Sequence, residues 1–364
     1  MTLKELNTFL NSAKTPEDVF GTNYMHQYRQ FVKLCYPDVV PEEEKVLAIE
    51  TFLKLHDWKY KAEDRDSAGI YGTTTPSSPV TPPNPPYAET TFELGHTKIK
   101  LVKALGEGLI SSIHKAEVST GNAKRQYFVK IARHPRDNDL LEREYRNLSI
   151  LNMEDPDPAK EKFFAIQREY VPKPEGIYYA QGANGVKRRM LLLSIAAGET
   201  HTLDELLKMP KFKDGIERKH MYWIYRRILL TLAFAHSKKL IHGAVTPNHV
   251  LVYPKEHGLV LLDWSTSVWQ GKEHIPLVDP DWKSFYPPEV FSKEKAQPNV
   301  DLYLAAQTML HCVGDLPTSV RSILEKCTPS DPSRRKQDAM EFFEDFERAI
   351  VSADGPRKFV EMEI

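Results

Sequence analysis

The chain has 364 residues with a formal net charge of −1, and 41% of it is apolar and 27% charged. These are ordinary proportions for a soluble globular protein, at a length that suggests more than one domain. The near-neutral balance argues against a nucleic-acid or membrane surface as partner. Cys35, Cys312 and Cys327 stand far apart, with no CxxC pair and no histidine cluster at zinc spacing. That usage fits a reducing, cytoplasmic compartment. The stretch MTLKELNTFLNSAKTPEDVF has no apolar core behind basic residues, so no signal peptide is expected. No apolar run reaches the roughly 18 residues of a membrane span.

The first predicted elements are helical. In YRQFVKLCYPD, residues Tyr28, Phe31, Val32 and Cys35 recur on one helix face, and Pro37 ends the run. PEEEKVLAIETFLKLHDW restarts a helix. Pro41 suits its first turn, the glutamates suit its N-terminus, and Ala48, Phe52 and Leu55 form its inner face. Two helices joined by a short Pro-Asp loop make a hairpin. This arrangement resembles the J-domain of co-chaperones, whose His-Pro-Asp loop engages the 70-kDa heat-shock chaperone. Here the loop is Tyr36-Pro37-Asp38. The resemblance implies a small all-α J-like domain over residues 1–63 and a protein partner, possible chaperones included. The absent histidine puts chaperone stimulation in doubt.

Next comes SAGIYGTTTPSSPVTPPNPPYA, without charges and rich in proline. Proline removes backbone donors and favours extended chain, so residues 64–90 are expected to be a linker. After it, TKIKLVKAL, SSIHKAEVS and RQYFVKIAR read as strands. NDLLEREYRNLSIL reads as a helix, and EGIYYAQG and KRRMLLLSI as a further strand pair. MYWIYRRILLTLAFAHS carries Met221, Ile224, Ile228, Leu232 and Ala235 on one stripe, and DLYLAAQTMLHCV is apolar nearly all round. The class is α+β, a sheet followed by helices, over residues 91–352. Residues 353–364 read as a short disordered tail.

Candidate chemistry starts at ALGEGLISSIHKAEV. Gly106 and Gly108 sit in a turn between two strands, where glycine lets backbone N–H groups approach phosphate. In YFVKIAR, Lys130 shares a strand face with Phe128, so its ammonium needs a buried anion. The following helix supplies one. Leu141, Glu144, Leu148 and Leu151 share a face, which puts Glu144 on the apolar side and Glu142 off it.

Taken in order, GEGLISSIHKAEV, YFVKIAR, LEREYRNLSIL, HGAVTPNHVLV, LLDWS, YPPEV, VDLYLAAQTM and DPSRR resemble the motif series of protein kinases. The resemblance implies a bilobal kinase-like fold. Gly106, Gly108 and Ile113 would cover ATP, Lys130 would hold its α/β-phosphates, and Glu144 would hold Lys130. Leu193 would be the gatekeeper, with Ser194 to Ala196 as the adenine-reading hinge. Asp263 would bind Mg²⁺ or Mn²⁺, with Trp264 and Ser265 where the family has Phe and Gly. Glu289 and Arg335 would pair, and Asp301 would brace the catalytic loop.

That loop departs from the family. Against His-Arg-Asp-Leu-Lys-Pro-Glu-Asn it reads His242, Gly243, Ala244, Val245, Thr246, Pro247, Asn248, His249. Ala244 cannot take a substrate proton. Thr246 lacks the lysine's charge, and Gly243 lacks the arginine that pairs with an activation-loop phosphate. His249 stands where asparagine holds the second metal, as a weaker match for Mg²⁺. The sequence therefore points to a pseudokinase, an ATP-binding regulatory or scaffold module with a docking domain. Two alternatives stay open. One is a divergent serine/threonine kinase or nucleotidyl transferase in which His242, His249 or a substrate carboxylate replaces the base. The other is a nucleotide-free scaffold.

Overall fold

The computed structural model describes residues 1–35, 40–41, 44, 47–48, 51, 54–55, 58–59, 61–62, 65, 71–72, 91–121, 123–181, 186–195, 198–356 and 358–364. Tyr36, Pro37, Asp38, Phe52, Ala196 and most of the proline-rich stretch lie outside them. The chain divides into two compact units, Met1–Pro83 and Asn84–Ile364.

The first unit opens with α1 (Leu3–Ser12) and α2 (Pro16–Phe20), each started by a capping box. Thr2 caps Glu5 and Thr15 caps Asp18, and in each case the acidic side chain bonds back to the cap's N–H. In α3 (Tyr24–Cys35) the predicted stripe is the inner face. Phe31 and Cys35 are buried, and Tyr28 and Val32 pack beside them against Leu6, Leu10 and Phe20. Ala48, Leu55 and Ala62 join this core. The Trp58 indole donates to the Leu10 carbonyl at 3.1 Å, and Arg65 pairs with Glu17 at 2.8 Å. Tyr71, which falls within the expected linker, contacts this unit. The Tyr71 hydroxyl donates to the Gly21 carbonyl at 2.8 Å, and its ring meets Tyr24 edge-on.

The second unit is mixed α+β. Strands β1 (Thr91–Leu94), β2 (Thr97–Glu107), β3 (Ser111–Thr120), β4 (Ala123–Ala132), β5 (Lys173–Gln181) and β6 (Lys187–Ser194) form one antiparallel sheet in the order β1-β2-β3-β4-β6-β5. Three of its strands carry the β-branched and aromatic runs expected of them. Helix α4 (Asn138–Asn152) packs on β4, β5 and β6 through Leu141, Leu148 and Leu151.

A second helix, α5 (Pro158–Arg168), was not expected. Asp157 caps it, and Phe164 and Gln167 are its only buried side chains. So narrow an apolar face leaves little periodicity to read.

The rest is mainly helical. Beyond α6 (Leu203–Leu207), α7 (Arg218–Ser237) buries the predicted stripe. Past the short α8 (Pro288–Phe291), α9 (Pro298–Cys312) is buried on nearly every side, as its all-round apolar sequence requires. Helices α10 (Thr318–Glu325) and α11 (Ala339–Asp354) close the core through Leu324, Phe342 and Phe346. The final residues are not a free tail. Met362 is buried in this core, and Phe359 stacks on His257. Two apolar residues in a polar ending are enough to anchor it. No helix among the described residues is long and apolar enough to cross a membrane. All three cysteines are free and buried, and burial pushes the Cys35 thiol up to about 11 and Cys327 up to about 12.

Candidate functional site: a lysine between two carboxylates beside a loop without a base

Lys130 lies in β4 opposite Ile113 of β3 and Leu191 of β6, and is 6% exposed. Its ammonium donates to Glu144 Oε2 at 2.6 Å and to Asp263 Oδ1 at 2.8 Å. Glu144 is fully buried and also accepts from the Trp264 N–H at 3.3 Å. Burial alone would lower the Lys130 pKa, but Asp263 and Glu144 together outweigh it and raise it. Burial likewise works to raise that of Asp263, and Lys130 and His249 overcome it, holding this carboxyl well below the usual range. Lys130 and Asp263 are thus ionised together. The predicted pairing of Lys130 with Glu144 is present, and Glu142 instead pairs with Arg189.

Asp263 follows two antiparallel strands, Val250–Tyr253 and Gly258–Leu261. Its backbone is left-handed, with φ 59° and ψ 71°, a region costly for L-residues and most tolerated by Asp and Asn. This turn aims the carboxylate at Lys130. Trp264, next in the chain, is fully buried. Its indole donates to the Leu261 carbonyl at 2.9 Å, and its ring meets His242 edge-on. A phenylalanine here would lack that bond.

The loop from His242 to His249 is held from below by Asp301. That fully buried carboxylate accepts from the N–H groups of His242 and Gly243, both at 2.8 Å, and from the His236 ring at 2.9 Å. Gly243 has φ +79°, and a Cβ there would approach Ile275 Cδ1 to 2.5 Å. No arginine fits this position without rearrangement. Ala244, where the kinase resemblance would place a base, is 1% exposed and has no group to accept a proton.

His242 cannot replace that base. Its Nε2 lies 2.9 Å from the Leu262 carbonyl, which can only accept, and its Nδ1 accepts from the Ala244 N–H at 3.1 Å. Both ring nitrogens are used and the ring is neutral. Burial, against the pull of Asp301, brings its pKa down to about 4. Between that value and 6.5 the unfolded chain binds more protons than the folded one, so stability falls as pH drops through this window. His220, lowered by burial to about 4, adds to the effect. The expected result is an unfolding midpoint that declines from pH 6.5 to 4, with a shallower decline in His242→Gln. Equal slopes in both proteins would refute the His242 assignment.

His249 is placed differently. Its Nδ1 donates to the Ala244 carbonyl at 2.9 Å, and its Nε2 lies 3.3 Å from Asp263 Oδ2. The Asn248 amide nitrogen is 3.3 Å from the same Nε2 and 3.2 Å from Asp279 Oδ2. Among the described residues no group of three His, Cys, Asp or Glu side chains is arranged to hold a metal. His249 and Asp263 make a pair only, and a cation there would need further ligands from nucleotide or water.

The other predicted residues divide. Glu289 and Arg335 form a buried ion pair, and Arg335 also donates to the Ser330 carbonyl at 2.8 Å and lies over the Tyr303 ring. Leu193 is buried and pairs across the sheet with Phe128. Ser194 donates to Glu175 at 2.8 Å. Gly106 and Gly108 lie at the turn between β2 and β3, as expected. Neither has a positive φ, and a Cβ on Gly106 would meet nothing within 4 Å. The Gly108 N–H closes a turn onto the Ser111 carbonyl at 2.8 Å. This is an ordinary hairpin turn, with no demand for glycine in its geometry.

A second grip on the segment after Asp263 was missed. Asn147 donates to the Ser267 carbonyl at 3.0 Å and its hydroxyl at 2.7 Å, and Arg143 pairs with Glu273 at 3.0 Å. Consecutive turns of α4 therefore hold residues 264–273 as well as Lys130. The signal was present: Asn147 is a polar residue on the same helix face as Glu144. A surface cavity of about 380 Å³ beside the paired strands Leu240–Ile241 and Val268–Trp269 is lined by Lys239, Trp269 and Lys272 and includes none of the charged triad.

No protein-family model matches the chain, and no curated protein matches it.

Proposed function

We propose that the second unit is a kinase-like pseudokinase, a module that binds ATP with a divalent cation and does not transfer its phosphate by the ordinary base-assisted route. The observation that carries this reading is Lys130 held between Glu144 and Asp263, with His249 linking Asp263 to the buried Ala244. A buried lysine between two carboxylates is costly to keep unless it does something. Exchanging one carboxylate for phosphate oxygens is the use its position suits. Asp263, 26% exposed against the complete burial of Glu144, is the partner free to turn toward a cation. Lys130 would hold phosphate oxygens, Asp263 and His249 would hold the cation, and the cation would neutralise phosphate charge. Nothing at position 244 would orient or deprotonate an acceptor hydroxyl. The first unit we assign as a docking domain for a protein partner. Its Tyr36-Pro37-Asp38 sequence is the reason a heat-shock chaperone belongs among the partners to test.

The test pairs thermal unfolding with labelling. ATP with a divalent cation at 100 times Kd is expected to stabilise the chain by about 2.7 kcal/mol, and Asp263→Ala to abolish the shift. ATP labelled at the α- or γ-phosphate is expected to leave no covalent label. Label from the γ-position, lost in Asp263→Ala, would make the protein a kinase; label from the α-position, a nucleotidyl transferase. No thermal shift with any cation would leave a nucleotide-free scaffold.

A further inference from the structure

We propose that His249 and Asp263 form a two-ligand cation site that favours first-row transition-metal ions over Mg²⁺ in the nucleotide complex. The inference rests on the nucleotide-binding reading above and adds the identity of the ion.

Three observations carry it. First, the ring orientation is set from behind. The Ala244 carbonyl can only accept, so its 2.9 Å bond puts the proton on Nδ1 and leaves Nε2 directed toward Asp263. A backbone carbonyl on the far nitrogen is the usual way a metal-binding imidazole is oriented. Second, the spacing suits one ion. With metal–ligand bonds of about 2.1 Å, donor atoms 3.3 Å apart subtend about 100° at the metal, a cis pair in a tetrahedral or octahedral shell. Third, the two ligands already lie side by side before any ion arrives. The Leu262 N–H donates to the His249 carbonyl at 2.8 Å, which ties the two segments together, and Lys130 holds Oδ1 of Asp263 while Oδ2 faces the imidazole.

The chemistry of the pair then selects the ion. Mg²⁺ is a hard cation that takes oxygen ligands and sheds water reluctantly. Imidazole nitrogen binds first-row transition ions more readily. His249 is 14% exposed and Asp263 26%, so the pair is partly open to further ligands. At Nε2, Mn²⁺ or Co²⁺ must replace two 3.3 Å contacts, with Asp263 Oδ2 and with the Asn248 amide, and any proton shared with that carboxylate.

The experiment uses the full-length chain with ¹⁵N-labelled histidine, ADP, and Mn²⁺, Co²⁺ or Mg²⁺ in turn. Affinity is read by calorimetry, and the ligand is read by pulsed EPR of bound Mn²⁺. Expected are a ¹⁵N coupling from one imidazole and tighter binding of Mn²⁺ and Co²⁺ than of Mg²⁺. In His249→Asn, with circular dichroism to check folding, the coupling disappears and the preference falls by about tenfold or more. A preference unchanged in His249→Asn, or no ¹⁵N coupling in the wild type, overturns the proposal. Mn²⁺ added alone separates the two readings. Coupling without any ADP binding keeps the cation site and removes the nucleotide assignment. ADP binding without coupling does the reverse.

Discussion

Lys130→Met is expected to destabilise the second unit by about 3–5 kcal/mol, the cost of leaving a buried charge without its partner. The side chain is replaced by one of similar length, so the loss is electrostatic rather than a cavity. Asp263, 26% exposed, can recover hydration; Glu144, with no exposure, cannot. It keeps only the 3.3 Å bond from the Trp264 N–H. Burial already raises the Glu144 pKa with Lys130 present, and without the lysine it rises further. A folded pKa above the unfolded value means the folded state binds more protons, so stability is lost as pH rises. The variant should therefore be hurt more at pH 8 than at pH 5. Urea denaturation at both values checks this. The double variant Lys130→Met with Glu144→Gln should recover much of the loss, because replacing both charges is far milder than stranding one. A single-variant cost below about 1 kcal/mol, within the range of exposed pairs, would show that Glu144 reaches water and that the triad is looser than its distances indicate.

Asp301→Ala is the second large effect. Its carboxylate alone satisfies the N–H groups of His242 and Gly243 and takes a bond from His236. Each buried donor left without an acceptor costs about 1–3 kcal/mol, so a total of several kcal/mol is expected, at the upper end for a single substitution. The loss should be local. Amide exchange at His242 and Gly243 should accelerate before that of α9 itself, since the helix keeps its apolar contacts. Asp301→Asn should recover little, because its amide turns a donor toward one of the three donors it must serve. If exchange at these two amides is unchanged, the loop is held by other contacts, such as the 2.7 Å bond from Thr308 to the Val245 carbonyl.

The readings that succeeded share one property: they depend on neighbours in sequence. Phe31 and Cys35 on one face of α3, the strand runs of β2 to β4, and Glu144 among leucines on α4 all follow from periods of 3.6 or 2 residues. One failure shows the limit. The polar ending around Phe359 and Met362 looked free because its anchors are single residues without a period.

Sequence by itself determined the order and kind of the main elements, the inward position of Lys130 and Glu144, and the absence of a carboxylate at Ala244. Side-chain chemistry and local periodicity suffice for these. Only the tertiary structure decided what that loop can do. Asp263 reaches Lys130 across 133 residues of chain, and Asp301 reaches His242 across 59. Burial by the folded chain, not local preference, neutralises His242 and covers Ala244, and the same fold sets Gly243 at φ +79° and brings His249 beside Asp263. The two histidines differ in which nitrogen meets a backbone carbonyl, Nε2 in His242 and Nδ1 in His249, and that is set by folding, because a carbonyl can only accept.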